Sequence, residues 1–174
     1  MVRTLLGSPL TLSSVLALAL ACSPATSTEQ LLLEIPLDSL DEVITKSGVM
    51  VDSAVTTDGG GSIRIEVSEP TTVRIAEIED LSLENARLIY RARLRTAGLR
   101  GKAYLEMWCV FPGQGEFFSR ALQSPLSGTN DWTSQETLFF LKKGQVPNRV
   151  KLNLVIEGEG TVWLDQVALA KGPL

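Results

Sequence analysis

The sequence predicts an all-β protein, an antiparallel β-sandwich of the jelly-roll kind, preceded by a cleaved N-terminal signal. Three observations predict it. Apolar and polar residues alternate with period two in repeated segments from residue 62 to residue 169. Clusters of Gly, Pro, Asn and Asp break the alternation at short intervals, and almost no segment carries helical periodicity. Alternation of this type marks antiparallel strands with one solvated face, and many short strands without helices between them bury their apolar faces by stacking two layers.

The elements follow in chain order. Residues 1–21 contain one basic residue, Arg3, then an apolar run that ends at Leu18-Ala19-Leu20-Ala21. A basic start, a short apolar segment and a small residue before the break define an export signal. Gly7, Ser8, Pro9, Ser13 and Ser14 interrupt the run, which argues against a permanent membrane span of ~20 residues. Residues 22–30 are rich in Ser, Thr and Pro, the composition of a flexible tether. The sandwich domain is expected over residues 31–174. Its strands are predicted at 31–37, 62–67, 71–78, 87–95, 103–111, 116–122, 133–141, 150–157 and 161–169. Asp38 to Lys46 is the one segment with the character of a helical turn, ended by Ser47-Gly48. Asp58-Gly59-Gly60-Gly61-Ser62 lacks the Gly-Lys-Ser/Thr ending and following helix of a phosphate cradle, and reads as a loop entering a strand. Pro112-Gly113-Gln114-Gly115 reads as a hairpin turn.

Composition narrows the chemistry. The 174-residue chain less 21 signal residues leaves 153, enough for one domain with a substantial core. Loss of Arg3 leaves 15 basic against 20 acidic side chains, a net charge of −5. That balance excludes nonspecific nucleic-acid binding, which needs clustered positive charge. The chain has no histidine, so Ser-His-Asp and Cys-His catalysis and His-ligated zinc are excluded. Only two cysteines occur, Cys22 and Cys109. Cys109, inside Met107-Trp108-Cys109-Val110-Phe111, reads as a small buried hydrophobe.

Alternation also assigns faces. Leu88, Tyr90, Ala92 and Leu94 form one core set, and Ala103, Leu105, Met107, Cys109 and Phe111 another, with Val150, Leu152, Leu154 and Ile156 opposite. Strands 87–95 and 103–111 are expected to pair as a hairpin through Thr96 to Lys102, which sets Glu106 against Arg91 or Arg93. With Phe117 buried, one outer face then collects Arg91, Arg93, Tyr104, Glu106, Trp108, Phe118, Arg120 and Asn153. Aromatic rings among planar polar groups suit sugar recognition, because ring faces stack on pyranose C–H groups while bidentate groups bind hydroxyls. The competing reading is a set of cross-strand ion pairs with Trp108 covered.

Two resemblances extend this reading. Ala19-Leu20-Ala21-Cys22 resembles the lipobox of bacterial lipoproteins, which implies lipidation of Cys22, a cleaved signal and a stable membrane anchor through two or more acyl chains. Ser23 after the cysteine implies the outer membrane where Gram-negative sorting applies. Separately, Asp58-Gly59-Gly60-Gly61-Ser62-Ile63-Arg64-Ile65, the strand from Leu88 to Arg95, Asn130-Asp131-Trp132-Thr133 and Gly160-Thr161-Val162-Trp163-Leu164-Asp165-Gln166-Val167 resemble, in order, the motifs of galactose-binding-like jelly rolls. The best match is to carbohydrate-binding modules attached to bacterial glycoside hydrolases. The resemblance implies a non-catalytic module facing the periplasm or exterior and binding a glycan. It further implies a structural calcium ion held by Asp58 and Asp165, with Glu34 as a weaker third ligand. Gln166 stands where the family has a second Asp, and the alternative is that Asp165 only accepts backbone hydrogen bonds at the sheet end. The alternative function is an adaptor lipoprotein whose sandwich contacts another envelope protein. A glycan-cleaving role would rest on Glu106, with Glu157 second.

Overall fold

The computed structural model describes residues 29–174. The expected signal, Cys22 and most of the tether lie outside these residues. Eight strands form one antiparallel sheet: β1 (Gln30–Ile35), β2 (Val49–Asp52), β3 (Ser62–Val67), β4 (Thr71–Glu79), β5 (Ala86–Phe111), β6 (Gly115–Arg120), β7 (Leu126–Leu141) and β8 (Arg149–Gly172). The path runs β2-β3-β8-β5-β6, with β1 and β4 also paired to β8 and β7 paired to β5.

β5 and β8 pair along almost their whole lengths, from Arg87 opposite Gly172 to Val110 opposite Arg149. A straight strand of 24 residues would reach roughly 80 Å, about twice the width of a domain this size. The sheet therefore folds over on itself. One layer holds β5 residues 87–97 and β8 residues 161–172, flanked by β7 on one side and by β1, β3 and β2 on the other. The second holds the remaining halves of β5 and β8, flanked by β6 and β4. No helix covers either layer among the described residues, so the inner faces cover each other. Leu88, Tyr90 and Leu94 meet Leu105, Met107, Cys109, Leu152, Leu154 and Ile156 in one cluster, all fully buried. This is an antiparallel β-sandwich, as expected from the alternation.

The fold corrects several local expectations. Strands 87–95 and 103–111 do not form a hairpin; they are successive halves of β5 and pair side by side with β8. Segments 150–157 and 161–169 are likewise halves of β8. Local alternation identifies strands but carries no record of their partners, and the intervening glycines make a bend resemble a reversal. Asp38 to Lys46 forms bends and turns rather than a helix, with one short return bond from Val43 to the Leu40 carbonyl. Its amide and hydroxyl groups pair with β4 instead, through Ile44, Thr45 and Arg74. β2 was not anticipated, because Val49-Met50-Val51-Asp52 is only four residues long. β1 starts at Gln30, and Glu29 bonds Arg91 at 2.6 Å. The turn after Phe111 is the expected one, closed by Gln114 N–H donating to the Phe111 carbonyl at 3.0 Å.

The bend depends on two glycines opposite each other, Gly101 on β5 and Gly158 on β8. Their φ angles are 135° and 131°, a region almost confined to glycine. A Cβ on Gly101 would lie 1.7 Å from the Glu157 carbonyl oxygen, and one on Gly158 1.9 Å from that of Arg100. Burial pushes the Cys109 thiol up to about 12, in keeping with an inert core residue. Gly158→Ala is expected to lower stability by about 3 kcal/mol or more, read as a fall in the thermal unfolding midpoint. A control Gly113→Ala in the exposed hairpin, where no neighbour lies within 4 Å, should cost less.

Candidate functional site

The fold divides the expected face in two. Arg91 and Arg93 point outward from the first layer. Tyr104, Glu106, Trp108, Phe118, Arg120 and Asn153 gather on the outer surface of the second. Glu106 therefore meets neither Arg91 nor Arg93, because the hairpin that would join them does not exist.

Three strands position the second-layer group. Register sets Glu106 opposite Arg120 and Trp108 opposite Phe118 between β5 and β6, and Glu106 opposite Asn153 between β5 and β8. Arg120 Nε donates to Glu106 Oε2 at 2.6 Å, and Asn153 Nδ2 donates to Oε1 at 2.9 Å. Arg74 on β4 extends the chain by donating from Nε to Asn153 Oδ1 at 2.6 Å. Tyr104 donates from its hydroxyl to Glu157 at 2.7 Å, and Lys102 pairs with the same carboxylate at 3.1 Å. These long side chains lie over the sheet, so Tyr104, Glu106 and Asn153 point outward yet are only 2%, 4% and 2% exposed. The cross-strand ion-pair reading thus describes the polar part of the face.

Electrostatics follow from this cover. Burial opposes ionisation of Glu106, but hydrogen bonds from Asn153, Trp108 and Arg120, with the Arg120 charge, outweigh it and hold the carboxyl below its ordinary range. Glu106 is an ionised anchor, the opposite of a general acid, whose proton must persist near neutrality. Burial first, then the hydrogen bond to the Glu157 carboxylate, push the Tyr104 phenol up to about 12.

The aromatic part of the face is open at Phe118 and partly buried at Trp108. Phe118 is 51% exposed, and its ring lies 4.9 Å from that of Trp108 at 51°. The Arg120 guanidinium stands 4.3 Å from the Phe118 centroid. Phe117 is also 51% exposed, contrary to the expectation of burial. It points to the core side, but β6 is an edge strand, and its ring meets that of Phe111 at 5.9 Å. Arg74 is a site residue that the sequence reading passed over. Its signal was available, since Val73 and Ile75 face inward and leave Arg74 on the outer face.

Arg91 and Arg93 line a separate hollow of about 550 Å³ on the first layer. Arg91 pairs with Glu29 and Glu136, and Arg93 donates to the Ser134 hydroxyl and the Trp132 carbonyl. Asp58 lines this hollow, and Asp165 lies on β8 opposite Arg93. Asp165, fully buried, accepts from the Thr57 amide at 2.8 Å, the Thr57 hydroxyl at 2.6 Å and the Gln166 amide at 2.7 Å. Asp58 accepts from the Gly60 amide and the Gln166 side chain. Calcium takes six to eight oxygens, and no three acidic or cysteine side chains converge among the described residues. Both Asp165 oxygens take these Thr57 and Gln166 donors, and Asp165 thereby fastens the loop before β3 to β8.

No protein-family model matches this chain, and no curated protein does. Among solved structures it is similar to the CBM22-1 xylan-binding domain from Paenibacillus barcinonensis Xyn10C, with a TM-score of 0.64 at 11% identity, covering 86% of this chain and 99% of that one. It is also similar to a xylan-binding domain from CBM 22, with a TM-score of 0.59 at 8% identity over 84% and 96%. A family 16 carbohydrate binding module gives 0.55 at 11% over 75% and 91%. The likeness is one of fold: the chain has the β-sandwich of carbohydrate-binding modules.

Because the Glu106 carboxyl is held below the ordinary value of 4.5, its stabilisation is fully present above that pH and is lost as pH falls through the lowered value. Glu106→Gln is expected to cost about 2 kcal/mol at neutral pH. In urea denaturation the gap between the two proteins should close as the solution is acidified below 4.5.

Proposed function

We propose that this protein is a non-catalytic, lipid-anchored module of the bacterial cell envelope that binds a glycan on the outer face of the second layer. The observation that carries the reading is the exposed Phe118 ring packed on a partly buried Trp108, beside a polar network already fixed in place. Rigid aromatic area with oriented donors and acceptors binds sugar at little ordering cost. The fold shared with carbohydrate-binding modules supports this reading, and the paired state of Glu106 favours binding over hydrolysis. The anchor rests on the lipobox resemblance at Cys22, with membrane attachment on the periplasmic or exterior side. The alternative occupant of the aromatic face is a partner protein of the envelope.

Affinity electrophoresis or a glycan array tests the binding. Trp108→Ala and Phe118→Ala should each weaken retention roughly five- to tenfold, and for the exposed Phe118 the melting temperature should change little. A face that retains glycans equally well after both changes is not the site, and one stoichiometric protein partner without glycan retention would favour the adaptor reading. For the anchor, Cys22→Ser should move the protein from the membrane pellet to the soluble fraction, since stable attachment needs the acyl chains.

A further inference from the structure

The hollow on the first layer has features that packing alone does not require. Between Arg91, opposite Ala168, and Arg93, opposite Asp165, β5 contributes one residue and β8 contributes two. This β-bulge sets Gln166 at φ 49°, a left-handed conformation costly for a residue with a side chain. Bulges of this type re-aim side chains and recur beside functional sites. Here the exposed Gln166 amide is turned into the hollow, 3.4 Å from Asp58. Asp165 lies opposite Arg93 but is committed to Thr57, and so pins the loop bearing Asp58 at the rim.

Arg93 is left incomplete by this arrangement. Its terminal nitrogens reach only neutral oxygens of Ser134 and Trp132. Its Nε is buried without any acceptor among the described residues, a cost in free energy unless a ligand or water supplies the oxygen. Arg91 pairs with Glu29 and Glu136, and Asp58 and Glu34 also line the hollow beside Arg93, so four carboxylates accompany two guanidinium groups and an anion is disfavoured. It offers donors from Arg93, Gln166 and Ser134, acceptors from Asp58, and a small-residue floor at Ala168. The volume of about 550 Å³ falls within the range of ligand clefts.

We propose that this hollow is a second binding site, on the face of the sandwich opposite Trp108, for an uncharged, hydroxyl-rich ligand of the size of one or two sugar residues. The glycan-binding reading supplies only the choice of ligand class; the location rests on Arg93, Gln166 and the bulge.

The test is an amide NMR titration of the full-length chain in detergent with D-xylose, D-glucose, N-acetylglucosamine and D-galacturonate. A neutral sugar is expected to shift the Gln166 side-chain amide and the backbone signals of Ser134 and Ala168, and to do so equally in Trp108→Ala. Gln166→Gly and Arg93→Gln should each weaken that response about tenfold or more while leaving shifts at Trp108 unchanged. Gln166→Gly keeps the fold testable, because glycine accepts the left-handed angle without strain. The proposal is overturned if no neutral sugar moves these signals, if only D-galacturonate does, or if both variants respond as the parent does. Loss of response at Trp108 alone would sink the second-layer site and leave this one standing.

Discussion

The structure depends on the backbone contact where β5 and β8 turn together. Two strands of 26 and 24 residues serve both layers, and each must bend at the same place for their inner faces to meet. Gly101 opposite Gly158 makes this geometrically possible, because any side-chain carbon there would enter the neighbouring carbonyl. Every other strand except β2, which pairs with β3, is hydrogen-bonded to one of these two. β7 and β6 follow the outer edge of β5, while β1, β3 and β4 follow β8. The core is therefore a property of one folded sheet rather than of two sheets brought together.

That origin explains the character of the outer faces. Once alternate residues are consumed by the core, the remaining set along β5 is rich in arginine, glutamate and aromatics. On the second layer these groups lie down across the sheet and satisfy each other, from Arg74 through Asn153 and Glu106 to Arg120. Beside the network, Phe118 stays exposed on the edge strand β6 and packs on the partly buried Trp108. On the first layer a single extra residue in β8 interrupts the pattern and opens a hollow where a flat surface would otherwise lie. The two faces differ because one is closed by its own hydrogen bonds and the other contains a donor that is not.

Much of the fold was legible because period-two burial is a local property. Leu88, Tyr90, Ala92 and Leu94, and again Ala103, Leu105, Met107, Cys109 and Phe111, face inward as alternation requires. Pairing is not local, and the error at Thr96 to Lys102 follows from that: a glycine-containing break between two good strands looks the same whether the chain reverses or bends. The site was legible in part for the same reason. The second-layer residues were correctly placed outward, but their burial came from side chains on β4, β6 and β8 whose neighbours the sequence does not reveal. Arg91 and Arg93 were assigned to the wrong company by the false hairpin. The bulge at Gln166 left only a faint trace, a substitution in an otherwise familiar closing motif.

Cys109 has a consequence outside binding. It sits fully buried where the two inner faces meet, its thiol far from ionisation, and a thiolate is the form that oxidants and disulfides attack. No second cysteine lies among the described residues to pair with it. The sandwich thus reaches the same covalent state in a reducing or an oxidising milieu, without help from enzymes that form or reshuffle sulfur bridges.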